Sequence, residues 1–518
     1  MTTKRTLHRP AIALPWGVAV MAGLLGLSGL GTLSQLLSEH AAQDPTLASL
    51  PLDVERHTLP ELVVDLDDRV SEAQVRDLAQ RYGARFTPAS SYVTHDRVYR
   101  VHVDGASVPA RLGHILTALR RDAQVEAADY ALLYHIPETA PDALTHAADQ
   151  GLALPTLRTN APLRETPRFL PNDPKYRYQW HLDQIHMPEA WTKNQGDGVV
   201  VAVLDTGVTP VEDLAGTELV PGWNFADNNA DTHDDHGHGT HVAGTIAQTT
   251  HNELGVAGVA YRAKIMPIKV LSGSGSGSVG GIAEGIRWAT DHGARVINMS
   301  LGGPFYSQVL AKAVRYAADH GVVVVCAAGN DGRGKVSYPA ANSGAIAVAA
   351  TQYDEATTFY SNWGKEVFVA APGGNTRLDQ NNDGVPDGVL QNTVTPGNID
   401  KHDYLLFMGT SMASPHVAGV AALLLSAGAH DPAEVKRLIE QTAHRPAAYR
   451  GKHDPHYGAG IVNASAALEA LATAHSQTTP TPVRSGAGML SGLLGLSLAI
   501  ALSLYLIRQL ALLAKPHA

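Results

Sequence analysis

At 518 residues the chain has room for roughly three domains and a large buried core. Its 39 Lys and Arg against 49 Asp and Glu leave a net charge of −10, which opposes the phosphate-neutralising surface a nucleic-acid binder needs. Cys326 is the single cysteine, so intrachain disulfides and thiol-ligated zinc or iron–sulfur sites are excluded.

Near the start, Lys4, Arg5 and Arg9 precede an apolar run from Ala11 to Leu37. Basic residues before a long apolar run predict a signal peptide or signal anchor over residues 1–42. Residues 51–136 predict a small α+β unit. Leu62–Leu66 reads as a strand, and Ser71 with Gln74 as a capping box for a helix whose Val75, Leu78, Ala79 and Tyr82 share one face. Tyr99, Val101 and Val103 alternate with polar residues as a half-buried strand. Leu112, Ile115, Leu116 and Leu119 repeat the helical stripe, and a short strand Val125–Ala128 closes the unit. The order β-α-β-α-β is compatible with a ferredoxin-like fold. Residues 137–171, rich in Pro, Thr and Ala without a sustained period, read as a linker.

Within 172–470, Val199–Leu204, Ile265–Val270, Val296–Met299, Val322–Ala328, Ala345–Ala350 and Val367–Ala370 are short continuous apolar runs separated by helical stretches. Strands buried on both faces of a parallel sheet read this way, so the prediction is a doubly wound α/β domain. Cys326 falls inside one such run and reads as a small core residue. Residues 471–485, with Thr479-Pro480-Thr481-Pro482, read as a stiffer linker. Gly486–Ile507 carries no charge and precedes Arg508 and Lys515, which predicts a transmembrane helix over 486–507. Basic residues outside both apolar runs place the span between them on the extracytoplasmic side, periplasmic or at the cell surface, anchored to the membrane.

In doubly wound sheets the chemistry lies at the carboxyl ends of the strands. Asp205 directly follows the first apolar run. Asp234-Asp235-His236-Gly237-His238-Gly239-Thr240-His241 puts histidines at the start of a predicted helix, and Gly409-Thr410-Ser411-Met412-Ala413-Ser414-Pro415 puts a serine at the start of another. Spacing alone does not choose among His236, His238 and His241.

Together these motifs resemble the subtilisin-like serine peptidases, over about 172–470. The resemblance extends to Asn172-Asp173-Pro174, Gln179-Trp180, Asn298-Met299-Ser300-Leu301-Gly302-Gly303, Ala328-Gly329-Asn330-Asp331-Gly332, Tyr338-Pro339-Ala340, Ala371-Pro372-Gly373 and Gly458-Ala459-Gly460. The chain order Asp, His, Ser separates it from α/β-hydrolases and from chymotrypsin-like enzymes. The resemblance implies a serine endopeptidase working through an acyl-enzyme, with Ser411 as nucleophile, His238 as base and then acid, and Asp205 holding His238. It also implies Asn330 as a donor to the oxyanion beside the Ser411 N–H. Ser300-Leu301-Gly302-Gly303 resembles one edge that pairs with the substrate backbone, and Ser272-Gly273-Ser274-Gly275 the opposite edge; recognition as an added strand implies broad selectivity.

No cofactor is implied for catalysis. Structural calcium is implied at Asp173, Asp213 and Asn252, where hard oxygen ligands suit that ion. Asp379, Asn381, Asp383 and Asp387 have the D-x-N-x-D-G-x-x-D spacing of a calcium loop, with Leu390 where the usual twelfth-position Glu would stand. The 51–136 unit resembles the propeptide that assists and inhibits many subtilases, and self-processing is expected between 130 and 172. The implied partners are polypeptide substrates, the chain's own propeptide and the membrane. Two alternatives are a catalytically silent binding protein on the same scaffold and a processing peptidase with few substrates.

Overall fold

The computed structural model describes residues 58–91, 97–103, 108–137, 145–146 and 167–478. The apolar runs at 11–37 and 486–507 lie outside the described residues, and with them the signal and transmembrane expectations. Among the described residues no helix is long and apolar enough to cross a membrane.

Seven parallel strands form the central sheet, in the spatial order Val367–Pro372, Ala345–Thr351, Val323–Ala327, Val296–Met299, Val200–Asp205, Lys264–Lys269 and Trp223–Asn224. Side chains of the inner strands are buried on both faces, which is why their sequences run apolar without alternation. Val200–Asp205 stands where the strand order reverses: the chain fills one side through Lys264–Lys269, then crosses to Val296–Met299 and continues outward. A crevice opens at such a switch point, outside the carboxyl ends of the strands. Cys326 lies fully buried in Val323–Ala327, where loss of solvation raises its thiol pKa far above the ordinary value.

The helix Thr410–Ser426 is buried from Thr410 to Leu425 and packs against the sheet. Pro415 lies inside it and has no N–H, so the carbonyl four residues back, that of Ser411, loses its helical donor. Ser300 Oγ takes that place, 2.8 Å from Ser411 O. A proline at this position thus ties the start of the helix to the residue following the Val296–Met299 strand.

The N-terminal unit is a four-stranded antiparallel sheet, ordered Arg85–Pro88, Val98–His102, Thr58–Leu66, Val125–His135, with helices Glu72–Tyr82 and Val108–Leu119. The sequence β-α-β-β-α-β and this spatial order are those of a ferredoxin-like fold. The first helix carries the expected capping box at Ser71 and ends on Gly83, whose φ of 54° suits a residue without Cβ. Two corrections apply. Arg85–Pro88 is a strand that sequence reading left out, and the last strand runs to His135 rather than stopping at Ala128. Of its extra length, Asp129 to Leu132 still pair with Thr58–Leu66, and Leu133–His135 go on to pair with the α/β domain. Within the expected linker, Thr145 and His146 also pair, with Leu406 and Leu405 of the strand Asn398–Phe407, which forms a hairpin with Val389–Thr395.

Candidate active site

Asp205 ends its strand fully buried. Its Oδ1 accepts from His238 Nδ1 at 2.7 Å and from the Thr206 N–H at 2.8 Å. Because Nδ1 is the donating nitrogen, the neutral ring keeps its basic lone pair on Nε2. His238 opens the helix His238–Ala247, and the local chain dictates that start. Asp234 Oδ1 accepts from the N–H groups of His236 and Gly237, each at 2.9 Å, while Oδ2 accepts from Thr240 N at 2.8 Å. These are amide donors that a helix N-terminus leaves over. Thr206 Oγ1 donates to Asp234 at 2.8 Å and accepts from the Gly239 N–H at 2.9 Å. One carboxylate therefore locks the turn that carries the imidazole to the strand that carries its partner. Sequence reading missed Asp234, because it stands four residues before the helix start, outside the usual capping position, which Gly237 fills.

The structure separates the three candidate histidines. His241 faces the other way: its Nε2 donates to the carbonyls of Val389 and Leu405 at 3.0 and 3.2 Å, and its ring stacks on Phe407. Burial, followed by the neighbouring His238, lowers its pKa to about 3, so it is a neutral structural donor. The ring of His236 lies 6.3 Å from that of His238.

Ser411 and Ser300 are buried and bound to each other twice, through Ser300 Oγ to Ser411 O and through Ser411 Oγ to Ser300 O at 3.3 Å. Behind them Asn298 Nδ2 donates to Ser300 Oγ at 3.0 Å, and Asn298 Oδ1 accepts from Ser414 Oγ at 2.7 Å. Asn330 follows the next strand. Its Oδ1 accepts from the N–H and hydroxyl of Thr410 at 2.9 and 2.7 Å, which fixes the amide's orientation and leaves Nδ2 as its donating end.

Two backbone edges flank the crevice, and the strand Val125–His135 lies between them. Leu133, Tyr134 and His135 pair antiparallel with Ser278, Gly277 and Ser276, and Ile136 N donates to Gly275 O at 2.9 Å. On the other side His135 and Gly302 exchange both hydrogen bonds, at 3.0 and 2.8 Å. Tyr134 is fully buried against Gly303, its hydroxyl donating to Phe305 O at 2.6 Å. One expected edge shifts. Ser272 and Gly273 belong to a turn closed by Ser272 N to Ser276 O and Gly275 N to Ser272 O, so the pairing edge is Gly275–Ser278. Gly303 pairs with Tyr338 rather than with the inserted strand, while Leu301 is buried beneath the edge.

Asp173, Asp213 and Asn252 come together. Asn252 N lies 3.4 Å from Asp173 Oδ1, and the Asn252 side-chain amide lies 2.9 Å from Asp213 Oδ1. Both carboxylates are buried, and burial with Asp173 nearby raises the pKa of Asp213 to about 6. In the other loop Asp379 accepts from Asp383 N and Gly384 N, and Asp387 Oδ2 accepts from Gln380 N. Asp387 is fully buried with no hydrogen bond to its Oδ1; burial, then Asp379 and Asp383, raise its pKa to about 6. Among the described residues no three His, Cys, Asp or Glu groups stand close enough to hold a metal by themselves, so either site would need amide or carbonyl oxygens as well.

The sequence profile of the Subtilase family matches residues 196–460. Thermitase from Thermoactinomyces vulgaris is 40% identical over 277 residues, 53% of this chain and 92% of thermitase. Subtilisin Savinase from Lederbergia lenta is 40% identical over 289 residues, 56% of this chain and 97% of its own length. Among solved structures, fervidolysin from Fervidobacterium pennivorans, a keratinolytic enzyme related to subtilisin, superposes with a TM-score of 0.63 at 27% identity, over 81% of this chain and 62% of fervidolysin. With this match over the domain that brings Asp205 to His238, the chain belongs to the subtilase family and is a serine endopeptidase.

Proposed function

We propose that Asp205, His238 and Ser411 form the catalytic triad of an enzyme held inactive by its own N-terminal unit. The observation that carries this reading is the 2.7 Å contact between His238 Nδ1 and buried Asp205, made by only one of the three histidines in the motif among the described residues. Ser411 Oγ attacks the substrate carbonyl as His238 Nε2 takes its proton. The C–N bond breaks as that proton passes to the leaving amine, and water then hydrolyses the acyl-enzyme by the same route reversed. Asp205 stabilises the imidazolium, while Asn330 Nδ2 and the Ser411 N–H stabilise the oxyanion. Gly275–Ser278 and Ser300–Gly302 hold substrate as an added strand, recognised mainly through its backbone, so selectivity is broad.

The Val125–His135 strand already fills that slot, which supports a propeptide role for residues 51–136. The likeness to fervidolysin supports it too, because it spans a larger share of the chain than the peptidase domain alone. Attachment to the extracytoplasmic face of a membrane rests on the apolar runs of the sequence. Two buried carboxylates beside one amide at Asp173, Asp213 and Asn252, and the buried Oδ1 of Asp387 beside Asp379, Asn381 and Asp383, suit calcium, which would neutralise like charges and cross-link loops.

His238→Ala should abolish peptide hydrolysis while His241→Ala retains most of it, and the reverse result overturns the assignment. Labelling of Ser411 by an active-site phosphonate separates the enzyme from a silent binding protein, and cleavage of a diverse peptide library separates a general peptidase from a processing one. A chelator should lower the unfolding temperature; an unchanged temperature argues against both calcium sites.

A further inference from the structure

The register of the inserted strand determines which of its bonds faces Ser411. His135 pairs with Gly302 in antiparallel sense. Continued by two residues, the register sets Pro137 opposite Ser300, whose carbonyl is 3.3 Å from Ser411 Oγ. The carbonyl presented to the nucleophile is therefore that of Pro137. Along the same strand Ile136 N still bonds to Gly275 and His135 N to Gly302. A proline next in line has no N–H for Ser300 O, and its ring fixes φ near −65°, away from extended values. The Ser300 carbonyl, the acceptor that a bound substrate would occupy, takes the Ser411 hydroxyl instead.

We infer that Pro137 makes the docked strand a non-scissile occupant of its own cleft, so that Ser411-dependent scission occurs elsewhere in the chain and not after residue 137. This rests on the assignment of Ser411 as nucleophile and deepens it by naming the residue that separates inhibitor from substrate. An amino acid with an N–H at 137 would bond to Ser300 O and free the Ser411 hydroxyl for His238. Ser411 Oγ would then bond to the carbonyl carbon of residue 137. The C–N bond to the next residue would break as His238 protonates the leaving amine, and water would release the acid.

The test compares the full chain with its Pro137→Ala, Ser411→Ala and doubly substituted forms, mapping new chain ends by mass spectrometry. Pro137→Ala should yield an end at residue 137 at least about tenfold more abundant than in the unaltered chain, on the scale of one restored backbone hydrogen bond plus relieved φ restriction. That end should be absent from the doubly substituted form. A fragment ending at Pro137 in the unaltered chain, or no end at residue 137 in Pro137→Ala, overturns the inference. Other ends that appear with Ser411 and vanish in Ser411→Ala show that the altered chain folds and that Ser411 is active, so the inference can fail alone. Ends that persist in Ser411→Ala overturn the nucleophile assignment instead. Pro137→Gly, which also restores the N–H, must behave like Pro137→Ala.

Discussion

The two folded regions satisfy their buried carboxylates in opposite ways. In the peptidase domain Asp205 and Asp234 find their donors within residues 206–240 of the same domain. In the N-terminal unit Asp65, fully buried, takes Arg287 Nη2 at 2.7 Å and Lys312 Nζ at 2.9 Å, both from the other region. Asp129 likewise accepts from Ser307 Oγ and Val309 N, at the start of the helix Gln308–Asp319, with Arg120 as its one ionic partner from its own unit. Asp205 and Asp234 thus find their donors inside their own domain, whereas Asp65 and Asp129 complete theirs only across the docked interface, as expected of a part built around a partner.

Breaking the interface gives the largest contrast. Removing one member of a buried ion pair costs about 3–5 kcal/mol, or roughly 150- to 5,000-fold in a local opening equilibrium. In the Ser411→Ala full chain, Asp65→Ala should speed amide exchange at His135 and Ile136 by that order. Arg287→Ala, made from the peptidase side, should do the same, and unchanged exchange in both would dissolve the contrast. Inside the self-sufficient region, Asn330→Asp keeps the acceptor for Thr410 and loses the amide donor. Turnover should fall about 100- to 1,000-fold with KM little altered; a change confined to KM would move Asn330 out of the oxyanion role.

The smallest effect is graded with pH. His241 and His416 are held neutral, by burial above all, at pKa values of about 3 and about 4, and His181, bonded to His416 at 2.8 Å, is also shifted well down. Their folded values lie below the unfolded one, so the stability they retain above pH ~6.5 is lost as pH falls, by about 1.4 kcal/mol per unit for each group. Asp213 and Asp387, raised to about 6, take up protons first in the folded state and oppose that loss between pH ~6 and ~4. Asp129, Asp173, Asp183 and Asp383, also raised by burial, add to that opposition, so stability falls toward acid by less than the three histidines alone would give. Urea unfolding of the Ser411→Ala chain at pH 6 and 5 measures it, and stability rising toward acid would show that the carboxylates dominate.

Much of the peptidase domain was legible because its strands are buried on both faces, and apolar runs such as Val322–Ala328 name their own position. What sequence reading missed had particular causes. Arg85–Pro88 is only four residues long, exposed at both ends, and finishes on a proline. The stretch from Asp129 to His135 alternates poorly because one side packs on its own unit and the other enters a cleft formed by distant residues. The pairing edge meets the expected Ser272–Gly275 stretch only at Gly275, because Ser alternates with Gly from 272 to 278 and such a repeat marks no single register. The Ser411–Ser300–Asn298–Ser414 network joins segments more than 100 residues apart, beyond the reach of local patterns. Asp205, His238 and Ser411 stood out through motif and chain order.

The lone thiol of Cys326, sealed inside the central sheet, gives the molecule a built-in reporter. A thiol reagent can reach it only when that strand is laid open, so the rate of modification under native conditions would time the opening of the sheet itself. A second cysteine placed on the surface would be the one reactive sulfur of the folded protein, ready to carry a dye that watches the cleft empty and fill.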